Sequence, residues 1–232
     1  MIYEGTWDML RLFVNLSSVI VFVITSGQTI VPAADWPTWR HDNQRSGFTQ
    51  ESLNGHSVEP VWIWRSLQPP VSAWPGPARW DSYANIRGLS SMRNYDPCFH
   101  VVVSGDHVYF GSSADDSVRA LNIDTGETQW TFTTDGPVRI APTVADERVY
   151  FASDDGRAYC LTANGGGLIW KSERADDSHL ILNNGRLVSL APCRTGVLVD
   201  QSRAYFAQGM LPWRGTLLHC VDAVTGSQAG PE

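Results

Sequence analysis

The chain has 232 residues, of which 43% are hydrophobic and 18% charged, and its formal net charge is −7. This apolar content excludes a disordered chain, and acids spread along the sequence without a basic stripe argue against a nucleic-acid partner. Ten Trp, twenty Gly and thirteen Pro accompany short periodic apolar runs, a composition that favours many strands joined by tight turns.

Residues 1–33 are predicted to be a signal peptide. A mostly apolar stretch at 12–24 follows Arg11, and Val31 and Ala33 suit signal-peptidase cleavage after Ala33. The stretch is shorter than the roughly 20 residues needed to span a bilayer. We therefore predict an exported product, periplasmic or at the cell surface. A retained membrane anchor and a soluble helix are the alternatives.

Residues 34–65 are predicted to form a lead-in segment ending in an outer strand at 61–65, followed by an insertion at 66–96 that is rich in Pro, Trp and Arg. The insertion is longer than most structureless loops in compact domains. Its aromatic and Arg side chains suit stacking on a planar or sugar-like ligand, or docking of a partner. Covering the hydrophobic ends of the adjoining units is the alternative. The candidate binding residues are Trp74, Trp80, Arg87, Arg93 and Asp96.

Residues 97–232 contain three copies of one repeat. Val-Tyr-Phe at 108–110 recurs at 149–151, and again as Ala-Tyr-Phe at 204–206. Each copy divides into four short runs with strand character, and pairs such as Thr125 with Gly126 supply residues suited to positive φ between them. Four short antiparallel strands at a period near 40 residues are typical of a propeller blade. We predict an all-β fold, a β-propeller with about three blades present, the last truncated.

The repeat resembles those of pyrroloquinoline-quinone (PQQ) propeller proteins. A small residue, Asp or Asn, Thr-Gly and Trp follow one another at the spacing of that family's tryptophan-docking motif. The resemblance implies four-stranded PQQ-type blades in which the Trp packs between neighbouring blades. The matching residues are Ala120, Thr125, Gly126, Trp130, Gly166, Trp170, Thr225 and Gly226, whereas Gly230 stands where the third Trp is expected.

Three blades are too few for a ring, because closed propellers typically have four to eight. An open arc leaves apolar blade faces uncovered, and repeat arrays normally cap such ends. The chain is therefore expected to be the N-terminal part of a longer product or a truncated reading frame. Completion by a second chain and an unusually small propeller are the alternatives.

The resemblance implies two classes of function. The first is an exported, non-catalytic binding or scaffold module whose partner is a protein or a cell-envelope component. The alternative is part of a PQQ-dependent quinoprotein dehydrogenase with PQQ and calcium as cofactors, and a truncated fragment without function is a further one. The family's enzymes commonly place two adjacent cysteines over the cofactor, whereas the four cysteines here are widely separated. We therefore expect a non-catalytic protein and assign no catalytic residue.

The cysteines and the paired aspartates are interpreted as structural. Cys160 and Cys220 occupy equivalent small-residue positions, and a bridge between Cys98 and Cys193 stays open as an alternative. Asp pairs favour turns through local side-chain hydrogen bonds, although calcium also prefers oxygen ligands. No metal site is assigned. The Asp pairs lie at 115–116, 154–155 and 176–177.

Overall fold

The computed structural model describes residues 34–52, 59–73, 98–175, 179–183, 185–209 and 215–229. The predicted signal peptide at 1–33 lies outside these residues, as do the five candidate binding residues Trp74, Trp80, Arg87, Arg93 and Asp96. Within the described ranges, no helix has the length and apolar character needed to cross a membrane.

The described residues form thirteen β-strands. They are β1 (Val101–Ser104), β2 (His107–Ser112), β3 (Ser117–Asn122), β4 (Thr128–Thr133), β5 (Thr143–Ala145), β6 (Arg148–Ala152), β7 (Ala158–Thr162), β8 (Leu168–Lys171), β9 (Leu180–Asn183), β10 (Arg186–Ser189), β11 (Leu198–Asp200), β12 (Arg203–Gln208) and β13 (Leu217–Asp222).

These strands pair in sequence order as antiparallel sheets. The first blade is β1–β2–β3–β4, the second blade is β5–β6–β7–β8, and the third blade is β11–β12–β13. In the third blade, a single bridge between Val221 and Gln228 marks where a fourth strand begins. The all-β class and the four-stranded, unclosed repeat predicted from the sequence are confirmed.

Each blade sets a tyrosine opposite a small residue. Tyr109 pairs with Ala120 across β2 and β3, and Trp130 lies on the other side of Ala120 in β4. The same register joins Tyr150 to Cys160 in the second blade. Since neighbouring side chains on one face of a sheet lie within contact distance, the small residue makes room between two large rings.

Alternate side chains of each strand face the blades on either side, as the period of two in a strand requires. Val149 and Phe151 join a core with the first blade, whereas Tyr150 between them joins a core with the third blade. A strand that is buried on both faces has a continuous run of apolar residues in its sequence. This explains why the Val-Tyr-Phe repeat is apolar throughout.

The start of the lead-in segment connects the first strands of all three blades. Trp36 and Val103 exchange backbone hydrogen bonds of 2.8 and 3.0 Å, and the N–H of Val144 donates to the carbonyl of Pro37 at 2.7 Å. Further on, the amide of Asn43 donates to the carbonyl of Val199 at 2.8 Å. The segment therefore joins the three blades along β1, β5 and β11.

Residues 61–65 pair with no strand among the described residues, so the outer strand expected there stays a prediction. Their exposure still alternates, with Trp62 and Trp64 half-buried and Val61 and Ile63 exposed. The sequence analysis missed the hairpin formed by β9 and β10, which interrupts the step from the second blade to the third.

Candidate functional site

Three tryptophans make the same contact, one unit apart. Each indole N–H donates to a backbone carbonyl of the following blade, at 2.7, 2.8 and 2.9 Å in chain order. The pairs are Trp62 with Ile123, Trp130 with Ala163 and Trp170 with Ala223. These bonds fix the contact between successive units through groups that would otherwise be buried without a partner.

A glycine with positive φ lies against each of these indoles. Gly166 has φ of 65°, and a Cβ placed there would lie 2.6 Å from a ring carbon of Trp130. Gly126 and Gly226 meet Trp62 and Trp170 in the same way. The contact therefore needs glycine both for its backbone conformation and for its lack of a side chain.

The residue three positions before the Thr of Thr-Gly shapes the turn. The Oδ1 of Asn122 accepts the N–H of Thr125 at 2.9 Å, and the Oδ1 of Asp222 accepts that of Thr225 at 2.7 Å. Such side-chain bonds to the backbone stabilise the turn that brings the glycine under the indole. Ala120, Thr125 and Thr225 thus belong to the contact between blades or to the turn that forms it.

Trp62 was missed as a docking residue. The sequence contained a usable signal, because Trp62 and Trp64 repeat the spacing of Trp130 and Phe132. Trp62 was not recognised because the residues ahead of it carry no recognisable repeat.

A second group of polar residues lies on what we call the loop face. This face consists of the β2–β3 and β6–β7 turns with the connections 134–142 and 190–197, which lead into β5 and β11. At its centre Asp154 is only 1% exposed. Arg139 donates to Oδ2 of Asp154 at 2.7 Å, and Arg194 donates to both carboxylate oxygens at 2.7 and 2.9 Å. One buried carboxylate therefore binds the connections into the second and third blades.

The hairpin is fixed to the loop face by its inner side. Arg186 donates to the carboxylate of Asp116 and to the carbonyl of Ala114, both in the β2–β3 turn. The N–H of Ser189 donates to the carbonyl of Asp154 at 2.9 Å. Hydrogen bonds to charged groups are about twice as strong as neutral ones, so the hairpin is held in one orientation against the face.

The described start of the insertion lies on the same face. The N–H of Val71 donates to Ser113 Oγ at 2.9 Å, and the carbonyl of Val71 accepts from Arg139 at 2.5 Å. Two residues further on, the carbonyl of Ala73 accepts from the amide of Asn183 at 2.7 Å. Residues 66–73 thus run along the loop face and reach the hairpin.

The outer side of the hairpin exposes three leucines. Leu182 and Leu187 face each other across the two strands and are 75% and 59% exposed. Leu180, on the same side of β9, is 47% exposed, while Val188 on the inner side is buried. Exposed apolar side chains on a well-anchored element are typical of a binding surface.

Asp155 adds a buried titratable group to the loop face. Burial raises its pKa, although the hydroxyl of Tyr159 donates to Oδ2 at 2.5 Å and the Arg157 N–H donates to Oδ1 at 2.9 Å. For Asp115, burial also acts to raise the pKa, but hydrogen bonds from Arg119 and neighbouring serines lower it to about 2. The pKa values of these two turn aspartates are therefore shifted in opposite directions.

These shifts predict opposite pH dependences. An acid whose pKa is raised on folding holds its proton more tightly in the folded state, so its contribution to the free energy of unfolding falls as the pH rises through the folded pKa. As the pH is lowered from neutral to about 4, the free energy of unfolding of wild type, measured in urea, should therefore rise relative to that of Asp155→Asn. As the pH is lowered further, below about 4, the free energy of unfolding of wild type should fall relative to that of Asp115→Asn. Parallel curves for wild type and Asp155→Asn would contradict the assignment.

The cysteines carry no disulfide. All four are free, Cys160 and Cys193 are buried and Cys98 is exposed, so the bridge between Cys98 and Cys193 is not formed. Burial raises the pKa of the Cys160 thiol to about 12, which keeps it protonated at neutral pH. This thiol is a packing group.

The described residues do not fit the PQQ site that the resemblance implies. Cys160 and Cys193 lie in the core between blades, and the carboxylates of Asp154 and Asp155 already accept hydrogen bonds from Arg or Tyr side chains. Within the part of the chain that the structure describes, no group of three or more His, Cys, Asp or Glu could hold a metal ion. We therefore derive no chemical step through PQQ.

Comparison with known proteins extends these observations. Residues 62–209 match the family described as "Outer membrane protein assembly factor BamB". Among solved structures, quinohemoprotein alcohol dehydrogenase from Comamonas testosteroni is 16% identical, with a TM-score of 0.57 over 84% of this chain and 26% of its own. That likeness concerns the fold alone. No curated protein sequence matches.

Two further structures match more weakly. BamB from Moraxella catarrhalis is 16% identical, with a TM-score of 0.40 over 54% of this chain and 33% of its own. A europium-containing methanol dehydrogenase is 17% identical, with a TM-score of 0.44 over 57% and 25%. The chain thus spans a quarter to a third of these structures. Because the family match covers well over half of the sequence, the chain belongs to the PQQ-like repeat family of β-propeller proteins.

Proposed function

We propose that this chain is an exported, non-catalytic propeller module that binds a protein at the cell envelope through its loop face. The observation that carries the proposal is the hairpin, whose inner side is anchored to the loop face and whose outer side exposes Leu180, Leu182 and Leu187. An anchored apolar surface binds at a lower entropic cost than a mobile one.

The partner is proposed to be a protein that presents an apolar surface. Leucine side chains offer apolar area but no hydrogen-bonding groups, which suits the apolar centre of a protein interface. The match to a family described as an assembly factor supports a protein partner. Export is supported by the signal-peptide pattern at 1–33.

The insertion is proposed to extend this surface. Its described start reaches the hairpin through the hydrogen bond between Ala73 and Asn183. Aromatic and Arg side chains are enriched among residues that dominate binding energy. The proposed contributors are Trp74, Trp80, Arg87, Arg93 and Asp96.

Further strands are proposed to complete the ring. The outer side of the first blade has a groove of about 280 Å³ between Trp62, Trp64 and Phe110, and the third blade exposes Leu217 and Leu218. Exposed apolar blade ends need covering in repeat proteins.

The hairpin surface can be tested by charge insertion. Leu182→Glu combined with Leu187→Glu should reduce the amount of envelope protein cross-linked to the chain in its source cells at least about tenfold, because a buried unpaired charge opposes binding. Leu168→Glu is the matched control, since Leu168 is 48% exposed on β8, in the outer strand of the second blade. Both variants should unfold at the wild-type temperature.

The readout is the identity and amount of the cross-linked protein, measured by mass spectrometry. Equal recovery from the hairpin variant and wild type would contradict the proposal. So would a loss of the same size in Leu168→Glu.

A further inference from the structure

The face that the third blade turns toward the second blade contains a histidine. His219 of β13 pairs with Phe206 of β12 in the register that joins Tyr159 to Phe151 in the second blade. The imidazole stacks on the Phe206 ring, with centroids 5.0 Å apart and planes inclined by 13°. Phe206 is 2% exposed and belongs to the core between the two blades. An ionisable ring therefore lies against an apolar interface.

The other two blades have a different residue type at this position. In the second blade it is Tyr159, whose hydroxyl donates to Asp155. In the first blade it is Arg119, which pairs with Asp115. Between pH 5 and 8 a phenol ordinarily stays neutral and a guanidinium stays charged, whereas an imidazole changes its charge. The third blade thus places at its contact a residue type whose charge depends on pH.

One nitrogen of this imidazole is buried without a partner. Within the part of the chain that the structure describes, no group forms a hydrogen bond with Nε2 of His219. Burial lowers the pKa of His219, and no charged group adds to the shift. A protonated ring would bury an N–H that nothing accepts and a charge removed from water. The folded contact therefore favours the neutral imidazole.

The ionisable groups around this contact offer no counter-charge to His219. The Glu173 carboxylate, just after β8, is 86% exposed and lies 3.5 Å from Arg157. Within β13, the Asp222 carboxylate accepts the N–H groups of its own turn, and Cys220 is a free thiol. The ionisable residues that the second blade and the connection into the third blade contribute are Arg148, Tyr150, Arg157, Cys160, Glu173 and Cys193.

The second blade also offers less aromatic surface to its neighbour than the first blade does. Phe132 of the first blade packs edge-on against Tyr159, with ring centroids 5.8 Å apart. The equivalent residue of the second blade is Ser172, since each lies two positions after the docking tryptophan. Its hydroxyl accepts the N–H of Ala158 at 2.9 Å. A serine contributes little apolar area, so this contact has less hydrophobic stabilisation to offset a charge.

We propose that the contact between the second and third blades is a pH-sensitive joint, in which protonation of His219 loosens the third blade from the second. At neutral pH the joint is held by the shared apolar core and by the hydrogen bond from Trp170 to the Ala223 carbonyl. Protonation adds a buried charge to this interface without adding any contact that stabilises the charge.

Acid favours the open joint. The pKa of His219 is lowered in the folded contact and returns to its ordinary value of 6.5 when the ring is released to water. The stabilisation of the closed joint is therefore fully present above about pH 7 and is lost as the pH falls toward the folded pKa. Uptake of one proton on opening changes the equilibrium by up to about tenfold per pH unit.

Hydrogen exchange of the purified protein tests the joint. It is measured by mass spectrometry at about pH 7.5 and 5.5 and corrected for the intrinsic exchange rates. Peptides covering β12 and β13 should lose about three- to tenfold in protection at the lower pH, whereas those covering β2 and β3 should not. His219→Gln should abolish this response. His219→Tyr should do so as well, because it installs the residue of the second blade.

His107→Gln is the matched control. His107 also stacks on an aromatic ring, that of Tyr109 at 5.7 Å, but it lies in the first blade. This variant should keep the wild-type response of the third blade. Equal protection of the third blade at both pH values in wild type would overturn the proposal. A response that persists in both His219 variants would overturn it too.

A titration of the His219 ring followed by NMR gives a second readout. Its pKa should lie below the ordinary value of 6.5, and an ordinary or raised pKa would overturn the proposal. This inference concerns the contact between blades alone. It can fail while the hairpin variants still lose the cross-linked partner, and partner binding can fail while the joint still responds to pH.

Discussion

Asp154→Ala is expected to lower the free energy of unfolding by about 3–5 kcal/mol, as breaking a buried ion pair typically does. The carboxylate is 1% exposed and accepts from both Arg139 and Arg194. Its removal leaves two guanidinium groups without the anion that they share, and the Arg139 side chain is itself only 6% exposed. The connections into the second and third blades would lose their common anchor.

Urea unfolding at neutral pH measures the effect, with Asp115→Ala as the matched control. Asp115 also lies in the turn between the second and third strands of its blade and pairs with Arg119, but its side chain is 44% exposed. Exposed pairs typically contribute about 0–1 kcal/mol. Equal losses in the two variants would show that burial does not govern the contribution of Asp154.

Trp130→Ala is expected to cost about 3–5 kcal/mol, the range for removing a large buried aromatic side chain. Trp130 is 9% exposed, packs in the core between the first and second blades and donates to the Ala163 carbonyl at 2.8 Å. Gly166→Ala should be comparably harmful, because its Cβ would lie 2.6 Å from the ring.

The two substitutions should be strongly non-additive. Once Trp130 is removed, an alanine at 166 meets no ring, and its remaining cost is the positive φ, about 1–2 kcal/mol. Gly105→Ala isolates that backbone cost, since Gly105 has φ of 55° and nothing within 4 Å of the added Cβ. Additive losses in the double variant would contradict the docking contact.

The blades could be predicted from the sequence because each blade is built from residues that are close together in the chain. Its four strands lie within about 40 residues and are joined by short turns, so the pattern of apolar runs and turn residues repeats along the sequence. The Asn122 to Thr125 bond shows the same locality, because donor and acceptor are three residues apart. Such local features can be predicted from the sequence before any tertiary contact is known.

The candidate site was harder to predict because its contacts join residues that are far apart in the sequence. Asp154 pairs with a residue 40 positions away, and Arg186 reaches Asp116 across 70 positions. The Asp pairs at 115–116 and 154–155 were correctly assigned to turns, and the pair at 176–177 lies outside the described residues. Nothing local distinguishes the exposed Asp115 from the buried Asp154. The hairpin was missed for a related reason. It lies between the second and third blades, and its apolar residues match no part of the repeat.

The all-β class, the blade repeat and the family resemblance were predictable from the amino-acid sequence, because they depend on local strand and turn preferences. Three features could be seen only in the folded chain: Trp62 docks like Trp130, Asp154 binds two arginines, and Leu182 faces outward. Each of these depends on which side chains meet after the blades pack, and packing couples residues that no local pattern connects.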